Sequence, residues 1–298
     1  MTTLPLRHAF RRKALTKPNI LYFWWRYIGN GRRTLRARSA KTDFPDAAQI
    51  AQKIAQEGIV VGPSENFLSE DGVRALEETS VSILEISRSS EVQATIAKGS
   101  SDYKKSYLVN LLPWDHEHAL DSPLIRLALD RKLLETVSHY LGLWPRLHAI
   151  GAWLNFPTEG DAAEAQLWHR DPEDLRLIKV FVYLNDVNED SGPFCYIPRT
   201  HPFSEGAAII PRHKDSKRIT DEEMQRTFPS KKWLSCTGPA KTMILADTVG
   251  YHRGGKPTVG NRILVTFTYT SGIPLSKRRL RVAGEPRESL TDIQRQAL

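Results

Sequence analysis

The apolar and polar positions divide the chain into a helical first half and a β-rich second half. Apolar residues recur every three to four positions in residues 43–58, 68–80 and 121–142, which predicts one helix in each range. Residues 59–62 (IVVG) follow the first helix and predict a short buried strand. Candidate helix starts are Asp46, Ser69, Asp121 and Ser122, and candidate stops are Gly58 and Gly142.

From residue 146 onward, short apolar segments alternate with turn residues. The predicted strands are residues 146–156, 177–186, 193–198, 242–247 and 262–270. No helical pattern separates most of them, so an antiparallel sandwich or barrel is favoured over alternating strands and helices. A polar insertion interrupts this region between Ser204 and Ala240, and a capping box from Thr220 to Glu223 predicts one short helix within it.

The composition is that of an ordinary globular protein. The chain has 298 residues, of which 40% are hydrophobic, and this is enough for a sizeable core. The two cysteines, Cys195 and Cys236, lack the spacing of a disulfide framework or of a structural zinc site. A reducing, cytoplasmic compartment is therefore expected.

The net charge of +8 comes from the N-terminal arm. Residues 1–41 contain eleven Lys and Arg and no Asp or Glu, whereas residues 42–298 contain 31 basic and 34 acidic residues. The arm includes the aromatic run NILYFWWRYIG (residues 19–29), which is too short to span a bilayer. Three interpretations stay open: peripheral contact with an anionic membrane, aromatic side chains that cap the core of the main domain, or a cleaved transit peptide.

A candidate metal site lies in the stretch QLWHRDPED. His169 and Asp171 are two residues apart, and in a strand this spacing presents both side chains on one face. A non-haem iron(II) site needs such a pair and one further histidine, and it leaves three coordination positions open. The pair alone is weak evidence, because so short a motif also arises by chance.

Two residues downstream make the site more specific. His252 lies five residues after Asp247, which ends a predicted strand, and Arg262 begins the apolar strand of residues 262–270. A buried arginine at the start of such a strand is costly unless it faces an anion. A dicarboxylate co-substrate would provide that anion.

The order and spacing of these elements resemble the phytanoyl-CoA dioxygenase family of iron(II)- and 2-oxoglutarate-dependent oxygenases. The resemblance covers about residues 146–270 and rests on WHRD (168–171), LNDVNEDSGPFCYIPRTH (184–201), ADTVGYHRGG (246–255) and GNRILVTF (260–267). Two features depart from the family pattern: Ser191 stands where asparagine is common, and PRTH (198–201) replaces a glycine-containing turn. Both lie in the loop over the site, so they leave the substrate open.

The resemblance implies a fold, a site and a reaction. The fold would be mainly β with flanking helices, built on a double-stranded β-helix (a cupin-like jelly roll) of about residues 100–275. His169, Asp171 and His252 would bind Fe(II), and Arg262 would pair with the distal carboxylate of 2-oxoglutarate. With O2, the enzyme would hydroxylate a small-molecule or lipid-like substrate and release succinate and CO2. Related halogenases replace the ligand carboxylate with a small residue, so the presence of Asp171 favours hydroxylation.

Three polar residues are further candidates for contact with 2-oxoglutarate or substrate. Alternation along residues 177–186 puts Lys179 and Tyr183 on one face of the strand, and alignment to the family turns that face toward the metal. Asn155 on the preceding strand is a similar candidate. For each of the three, an outward-facing side chain is an equally good interpretation.

The expected organisation is the arm of residues 1–41 followed by a single oxygenase domain of residues 42–298, with its helical half in 42–145. Two other classes of function stay open. One is a metal-binding jelly roll that acts as a hydrolase or isomerase without 2-oxoglutarate. The other is nucleic-acid binding through the basic arm, which the mildly acidic body and the strand composition argue against.

Overall fold

In this computed structural model of the protein, the described residues are 19–98, 106–112, 117–208, 218–278, 280–284 and 288–298. Residues 1–18 of the arm and residues 209–217 of the predicted insertion therefore lie outside the described residues.

Helices dominate the first part of the described chain and pack against one side of the β-structure. The first, α1 (Ile20–Phe23), continues directly into a π-helix (Trp24–Gly29). The others are α2 (Gly31–Ser39), α3 (Pro45–Glu57), α4 (Glu70–Ser87), α5 (Ser90–Lys98), α6 (Pro123–Ala128), α7 (Arg131–Leu141), α8 (Asp221–Thr227) and α9 (Asp292–Ala297).

The strands form a large antiparallel sheet and a small one that packs on it. The large sheet has the order β1 (Ile59–Pro63), β8 (Thr242–Ala246), β5 (Ile178–Tyr183), β10 (Arg262–Thr270), β4 (Arg146–Asn155), β2 (Leu108–Asn110). The small sheet has the order β7 (Leu234–Cys236), β6 (Phe194–Tyr196), β9 (His252–Gly254). A parallel pair, β3 (Glu117–Ala119) and β11 (Arg281–Ala283), completes the β-structure. The predicted mainly β, jelly-roll architecture with flanking helices is confirmed.

Alternation along the central strands separates the core from a cavity. On β10, Val265 and Phe267 belong to the main hydrophobic core, which the large sheet shares with the helices. Their neighbours Leu264, Thr266 and Thr268 line the cavity on the other side of the sheet. Because side chains on a strand alternate between its faces, the same strands can supply both a dry core and a polar-lined cavity.

The helix predicted over residues 121–142 is wrong as a single helix, because the chain forms α6 and α7 instead. Asp130 lies between them and caps α7 by accepting the backbone N–H of Leu133 at 2.9 Å. Its carboxylate also accepts the backbone N–H of Ser69, the residue that caps α4. This buried tertiary contact overrides the continuous apolar pattern.

At α3, Asp46 lies in the first turn and is not the N-cap residue, which is Phe44.

The described part of the arm is held against the domain by its buried side. Tyr22 and Trp25 are buried in the core, and the indole N–H of Trp25 donates to Asp174 Oδ1 at 3.0 Å. Farther along, Asn30 Oδ1 accepts the backbone N–H of Gly272 at 3.0 Å. These aromatic side chains therefore cap the core, as one of the three interpretations of the arm expects. Among the described residues, no helix is long and apolar enough to cross a membrane.

Asp174 should make the stability of this contact depend on pH. Burial raises its pKa to about 6, whereas an unfolded aspartate has a pKa of about 3.9. The folded state therefore favours the protonated carboxyl, and this stabilisation is fully present below about pH 4 and lost as the pH rises through about 6. The loss corresponds to about 3 kcal/mol.

We expect Asp174→Asn to remove this dependence, since an amide does not titrate. Relative to the wild type, the free energy of unfolding of the variant should rise by about 2 kcal/mol between pH 4 and pH 7. Urea unfolding at a series of pH values measures this difference. The exposed Asp161 provides the control, because Asp161→Asn should leave the profile of the wild type unchanged. A constant difference between Asp174→Asn and the wild type would contradict the argument.

Candidate active site

The three predicted metal ligands converge on one point of the cavity. The ligand atoms of His169, Asp171 and His252 all lie within 4.8 Å of one another. His169 Nε2 is 3.8 Å from Asp171 Oδ1, and His252 Nε2 is 3.6 Å from Asp171 Oδ2. Such a group of two imidazoles and one carboxylate could hold a divalent metal and leave other coordination positions open.

Backbone pairing brings the two histidines together. His169 and His252 form an antiparallel bridge, with N–H to carbonyl distances of 2.9 and 3.0 Å in the two directions. The N–H of Asp171 then donates to Thr248 O at 2.8 Å, which extends the contact by two residues. Arg170, which lies between His169 and Asp171 in the sequence, points to the opposite side of the chain. Its Cζ atom stacks over the ring of Tyr251, 4.1 Å from the centroid. The i, i+2 spacing thus puts His169 and Asp171 on one side, as expected.

The loop that delivers His252 is itself held by a buried carboxylate. Asp247 directly follows β8, and its side chain accepts the hydroxyl of Tyr140 at 2.5 Å and the backbone N–H of Val249 at 2.9 Å. The hydroxyl of Tyr196 donates to the Asp247 carbonyl at 2.9 Å. These contacts fix the turn from β8 to β9, so the first residue of β9 is placed precisely. The order Asp247, turn, His252 in the sequence therefore has a structural cause.

Each ligand imidazole is oriented by its second nitrogen. His169 Nδ1 lies 2.8 Å from Leu167 O, and His252 Nδ1 lies 3.1 Å from Gly250 O. A carbonyl accepts only, so Nδ1 carries the proton and Nε2 presents its lone pair to the centre of the triad. Burial lowers the pKa of both histidines. Both therefore stand in the neutral form that binds a metal.

Asp171 is ionised because the ammonium group of Lys179 lies against it. Burial by itself raises the pKa of Asp171, but the charge of Lys179 is the main influence that lowers it, and the pKa lies far below its ordinary value. Lys179 Nζ lies 2.5 Å from Asp171 Oδ2. The structure thus places Lys179 against the candidate ligand carboxylate, while its proposed contact with 2-oxoglutarate or substrate stays a prediction.

Arg262 lies in the same cavity with unused hydrogen-bond donors. The triad and Arg262 line one cavity of about 380 Å³. The guanidinium is buried, and among the described residues its Nε and Nη1 atoms have no hydrogen-bond partner. Burial lowers the pKa of Arg262, yet a guanidinium stays protonated near neutral pH. Donors buried in this way fit a carboxylate that arrives with a ligand.

The other two predicted residues have different surroundings. Asn155 is buried opposite Arg262 in the pairing of β4 with β10 and lines the same cavity. The ring of Tyr183 also lines the cavity, but its hydroxyl donates to Cys236 O at 2.8 Å and accepts the N–H of Phe194 at 3.0 Å. Tyr183 therefore ties the two sheets together, and this hydroxyl is already engaged.

The sequence interpretation missed part of the cavity wall. Thr266 and Thr268 share the face of Arg262 on β10, and alternation along that strand could have identified them. Tyr107 and Arg218 come from irregular segments, and no periodic signal marks them. His148 also lines the cavity, at the end of β4 opposite to Asn155 and Arg262. Its Nε2 is 3.2 Å from Ser276 Oγ.

Comparisons with known proteins agree with this geometry. The family model "Phytanoyl-CoA dioxygenase (PhyH)" matches residues 55–246, more than half of the chain. This range includes His169 and Asp171 and ends before His252 and Arg262. Among curated proteins, no sequence matches the chain.

Two solved structures with a similar fold contain iron or 2-oxoglutarate. The epimerase SnoN, solved with Fe3+, alpha ketoglutarate and nogalamycin RO, is 17% identical with a TM-score of 0.52, over 79% of this chain and 88% of SnoN. EctD from S. alaskensis, solved with 2-oxoglutarate and 5-hydroxyectoine, is 19% identical with a TM-score of 0.51, over 84% of this chain and 88% of EctD. At these identities the likeness shows the fold alone.

The triad should bind a divalent metal through all three side chains. We expect His169→Ala, Asp171→Ala and His252→Ala each to weaken the binding of Fe(II) or Co(II) by more than about 100-fold, the upper range for loss of a residue that merely supports a ligand. Anaerobic titration followed by calorimetry or by the Co(II) absorption spectrum measures this affinity. His139 is exposed on α7, so His139→Ala serves as the control. Binding that survives any triad substitution would remove that residue from the ligand set.

Proposed function

Because the chain belongs to the phytanoyl-CoA dioxygenase family, we propose that it is an Fe(II)- and 2-oxoglutarate-dependent dioxygenase that hydroxylates a small-molecule or lipid-like substrate. One observation carries the proposal. A single cavity holds a group of two histidines and one aspartate together with a buried arginine, two of whose donor atoms lack a hydrogen-bond partner among the described residues. A metal site of this kind with an anion-binding group beside it suits a metal-chelating keto-dicarboxylate.

The chain's own residues would hold and orient both groups. His169, Asp171 and His252 would bind iron, with the imidazoles kept in the correct tautomer by Leu167 O and Gly250 O. When bound, iron(II) and 2-oxoglutarate would supply the activation of O2. Arg262 would pair with the distal carboxylate of 2-oxoglutarate and fix its direction in the cavity. Asn155, opposite Arg262, is close enough in the sheet to assist.

The apolar walls of the cavity would keep water away from the reaction. Trp153 and Leu264 form one cross-strand pair of the lining, and Phe181 packs on Phe194 across the two sheets with ring centroids 4.3 Å apart. Apolar walls around a charged centre strengthen the electrostatic interactions inside it and limit side reactions with solvent. The polar lining at Thr266 and Thr268 would then face the substrate.

The outcome of the reaction is proposed as hydroxylation. SnoN is named an epimerase, so a similar fold does not by itself fix the product. The ligand carboxylate of Asp171, in place of a small residue, supports hydroxylation over halogenation. A hydrolase or isomerase with a metal in the same triad would need neither 2-oxoglutarate nor Arg262, and the unused donors of Arg262 argue against it.

The proposal also includes the domain organisation of the chain, its cellular compartment and the class of its substrate. Residues 42–298 would form the oxygenase domain in the cytoplasm, with residues 1–41 as its arm. The substrate would be a soluble metabolite or an amphiphile, and no nucleic acid is expected.

Removing the guanidinium should weaken co-substrate binding specifically. We expect Arg262→Gln to weaken the binding of 2-oxoglutarate by about 2 to 5 kcal/mol, because a desolvated charge pair is lost. This loss raises the Kd at least about 30-fold. Anaerobic titration of the Fe(II) protein, followed by the visible charge-transfer band of the chelate, measures this Kd. Arg253 on β9 pairs with Asp221 outside the cavity lining, so Arg253→Gln is the matched control. An unchanged Kd in Arg262→Gln would mean that another group holds the co-substrate.

Turnover should consume 2-oxoglutarate and place one oxygen atom in the product. A panel of metabolites and amphiphiles would be screened for compounds that stimulate succinate formation by the Fe(II) protein. With ¹⁸O2, mass spectrometry should then show one labelled oxygen in the product and one in succinate. A product of unchanged mass would contradict hydroxylation and favour epimerisation. Product formation without 2-oxoglutarate would favour the hydrolase or isomerase.

A further inference from the structure

The outward side of the arm carries several large apolar side chains, although its inward side already fills a place in the core. Five large hydrophobic side chains between residues 20 and 35 are more than half exposed: Ile20, Phe23, Trp24, Ile28 and Leu35. They make up five of the eleven large hydrophobic residues exposed in the described chain. Ile273 is also exposed and packs over Gly29, so it extends the same patch. These six residues are called the arm surface.

This concentration needs a cause beyond the fold. Single exposed hydrophobic residues are normal, whereas a contiguous apolar patch marks a surface that meets another apolar phase. The arm is anchored by Trp25, Asn30 and Arg33, and none of these anchors requires an apolar residue on the opposite side. Polar residues there would serve the packing of the arm equally well.

A positively charged cleft lies beside the arm surface. It has a volume of about 370 Å³ and is lined by Arg32, Arg33 and Arg36, together with Gly272 and Ile273. Arg33 donates to three backbone carbonyls, those of Trp144, Pro145 and Gln296. In the part of the chain that the structure describes, none of the three cleft arginines forms an ion pair with a carboxylate.

Positive charge is concentrated in and around the cleft. Burial, followed by the nearby Arg146 and Arg36, lowers the pKa of Arg33 to about 10. The same pattern holds for Arg278, whose pKa burial, Arg146 and Arg33 lower to about 10. Guanidinium groups that repel one another in this way favour an anion between them.

The combination of an apolar patch and a cationic cleft selects among possible partners. A second copy of the chain would bring two basic surfaces together, which costs free energy. A nucleic acid would meet the arginines but leave the aliphatic side chains in water. An anionic bilayer offers phosphates to the arginines and an interfacial region to the tryptophan, phenylalanine and aliphatic groups. The whole of residues 1–41 is basic without an acidic residue, while the rest of the chain is mildly acidic.

We propose that the arm surface docks on an anionic phospholipid bilayer, with its apolar side chains in the interfacial region and lipid phosphates in the arginine cleft. The placement also brings the bilayer near the cavity. Gly272 and Ile273 line the cleft, and Ser276 of the same segment lines the cavity. An amphiphilic substrate could thus pass from the bilayer to the site along a short route. This last step rests on the proposed function, whereas docking itself does not.

The test is binding of the full-length protein to vesicles, without any assay of turnover. Vesicles of phosphatidylcholine alone and of phosphatidylcholine with phosphatidylserine would be sedimented with the protein. We expect binding to the phosphatidylserine vesicles, weakened by salt and lower by more than about tenfold on phosphatidylcholine alone. Failure to bind the anionic vesicles would overturn the proposal.

Substitutions at exposed positions locate the contact without disturbing the core. The combined variant Phe23→Ser, Trp24→Ser, Ile28→Ser should lower vesicle affinity by more than about tenfold, since it removes the apolar insertion. Arg32→Glu should lower it by about fivefold or more, from the loss and reversal of one charge near the surface. Deletion of residues 1–41 is a poorer test, because it also removes the buried Trp25.

Matched controls carry the same chemical changes elsewhere. Val81→Ser with Val259→Ser removes two exposed apolar residues away from the arm, and Lys231→Glu with Lys232→Glu reverses two exposed charges. Both controls should bind vesicles as the wild type does. Equal losses in controls and arm variants would overturn the proposal. So would a change in oligomeric state as the main effect of the apolar variant, or DNA binding that depends on Arg32 but not on the apolar residues.

Discussion

The site depends on two hydrogen bonds between backbones. His169 and His252 come from distant parts of the chain, and their mutual N–H to carbonyl pairing at 2.9 and 3.0 Å sets the two imidazoles side by side. Once this pairing is fixed, the period of two along an extended chain brings Asp171 to the same side. Loss of the bridge would separate the two segments, although each imidazole would keep its own contact with Leu167 O or Gly250 O. The turn held by Asp247 is what makes the bridge geometrically possible.

Burial of this centre places charged groups away from water, and only some of them have a partner of opposite charge. Asp171 is buried with Lys179 against it, and both histidines are neutral, so these charges are balanced within the protein. Arg262 is different, because its charge is buried while two of its nitrogen donors have no partner among the described residues. An uncompensated buried charge is costly, so stability alone would not select it. The imbalance between Asp171 and Arg262 is what distinguishes a ligand-binding centre from a structural ion-pair network.

The sequence predicts the helices and strands whose apolar residues recur at a regular spacing. The strand over residues 262–270 was predicted with its bounds, because Val265, Phe267 and Tyr269 alternate with residues of another face. The helix over residues 121–142 failed at Asp130, whose contact with Ser69 is tertiary and leaves no local trace. The triad and Arg262 meet in one cavity, as the resemblance of their motifs to the family implies, while their roles as ligands stay a prediction. The engaged hydroxyl of Tyr183 and the contact of Lys179 with Asp171 could not be predicted, because each depends on which side chain the fold brings opposite. Strands of three residues such as β7 and β9 carry too few positions for any period, and pairing with β6 defines them.

The arm and the candidate active site share one segment of chain, and this couples them physically. Asp174 follows Asp171 by three residues and accepts both the indole N–H of Trp25 and the backbone N–H of Ser271. Ser271 directly follows β10, the strand that begins with Arg262. The inward side of the arm therefore closes a contact between the loop of the ligand carboxylate and the far end of the arginine's strand. Because Asp174 is fully buried and its partners Trp25 and Ser271 come from two separate segments, a displacement of the arm would leave a buried carboxyl without its indole donor. The core-capping role of the arm and any role of its outward side are thus borne by opposite faces of one helical segment, so the two interpretations of the arm are compatible.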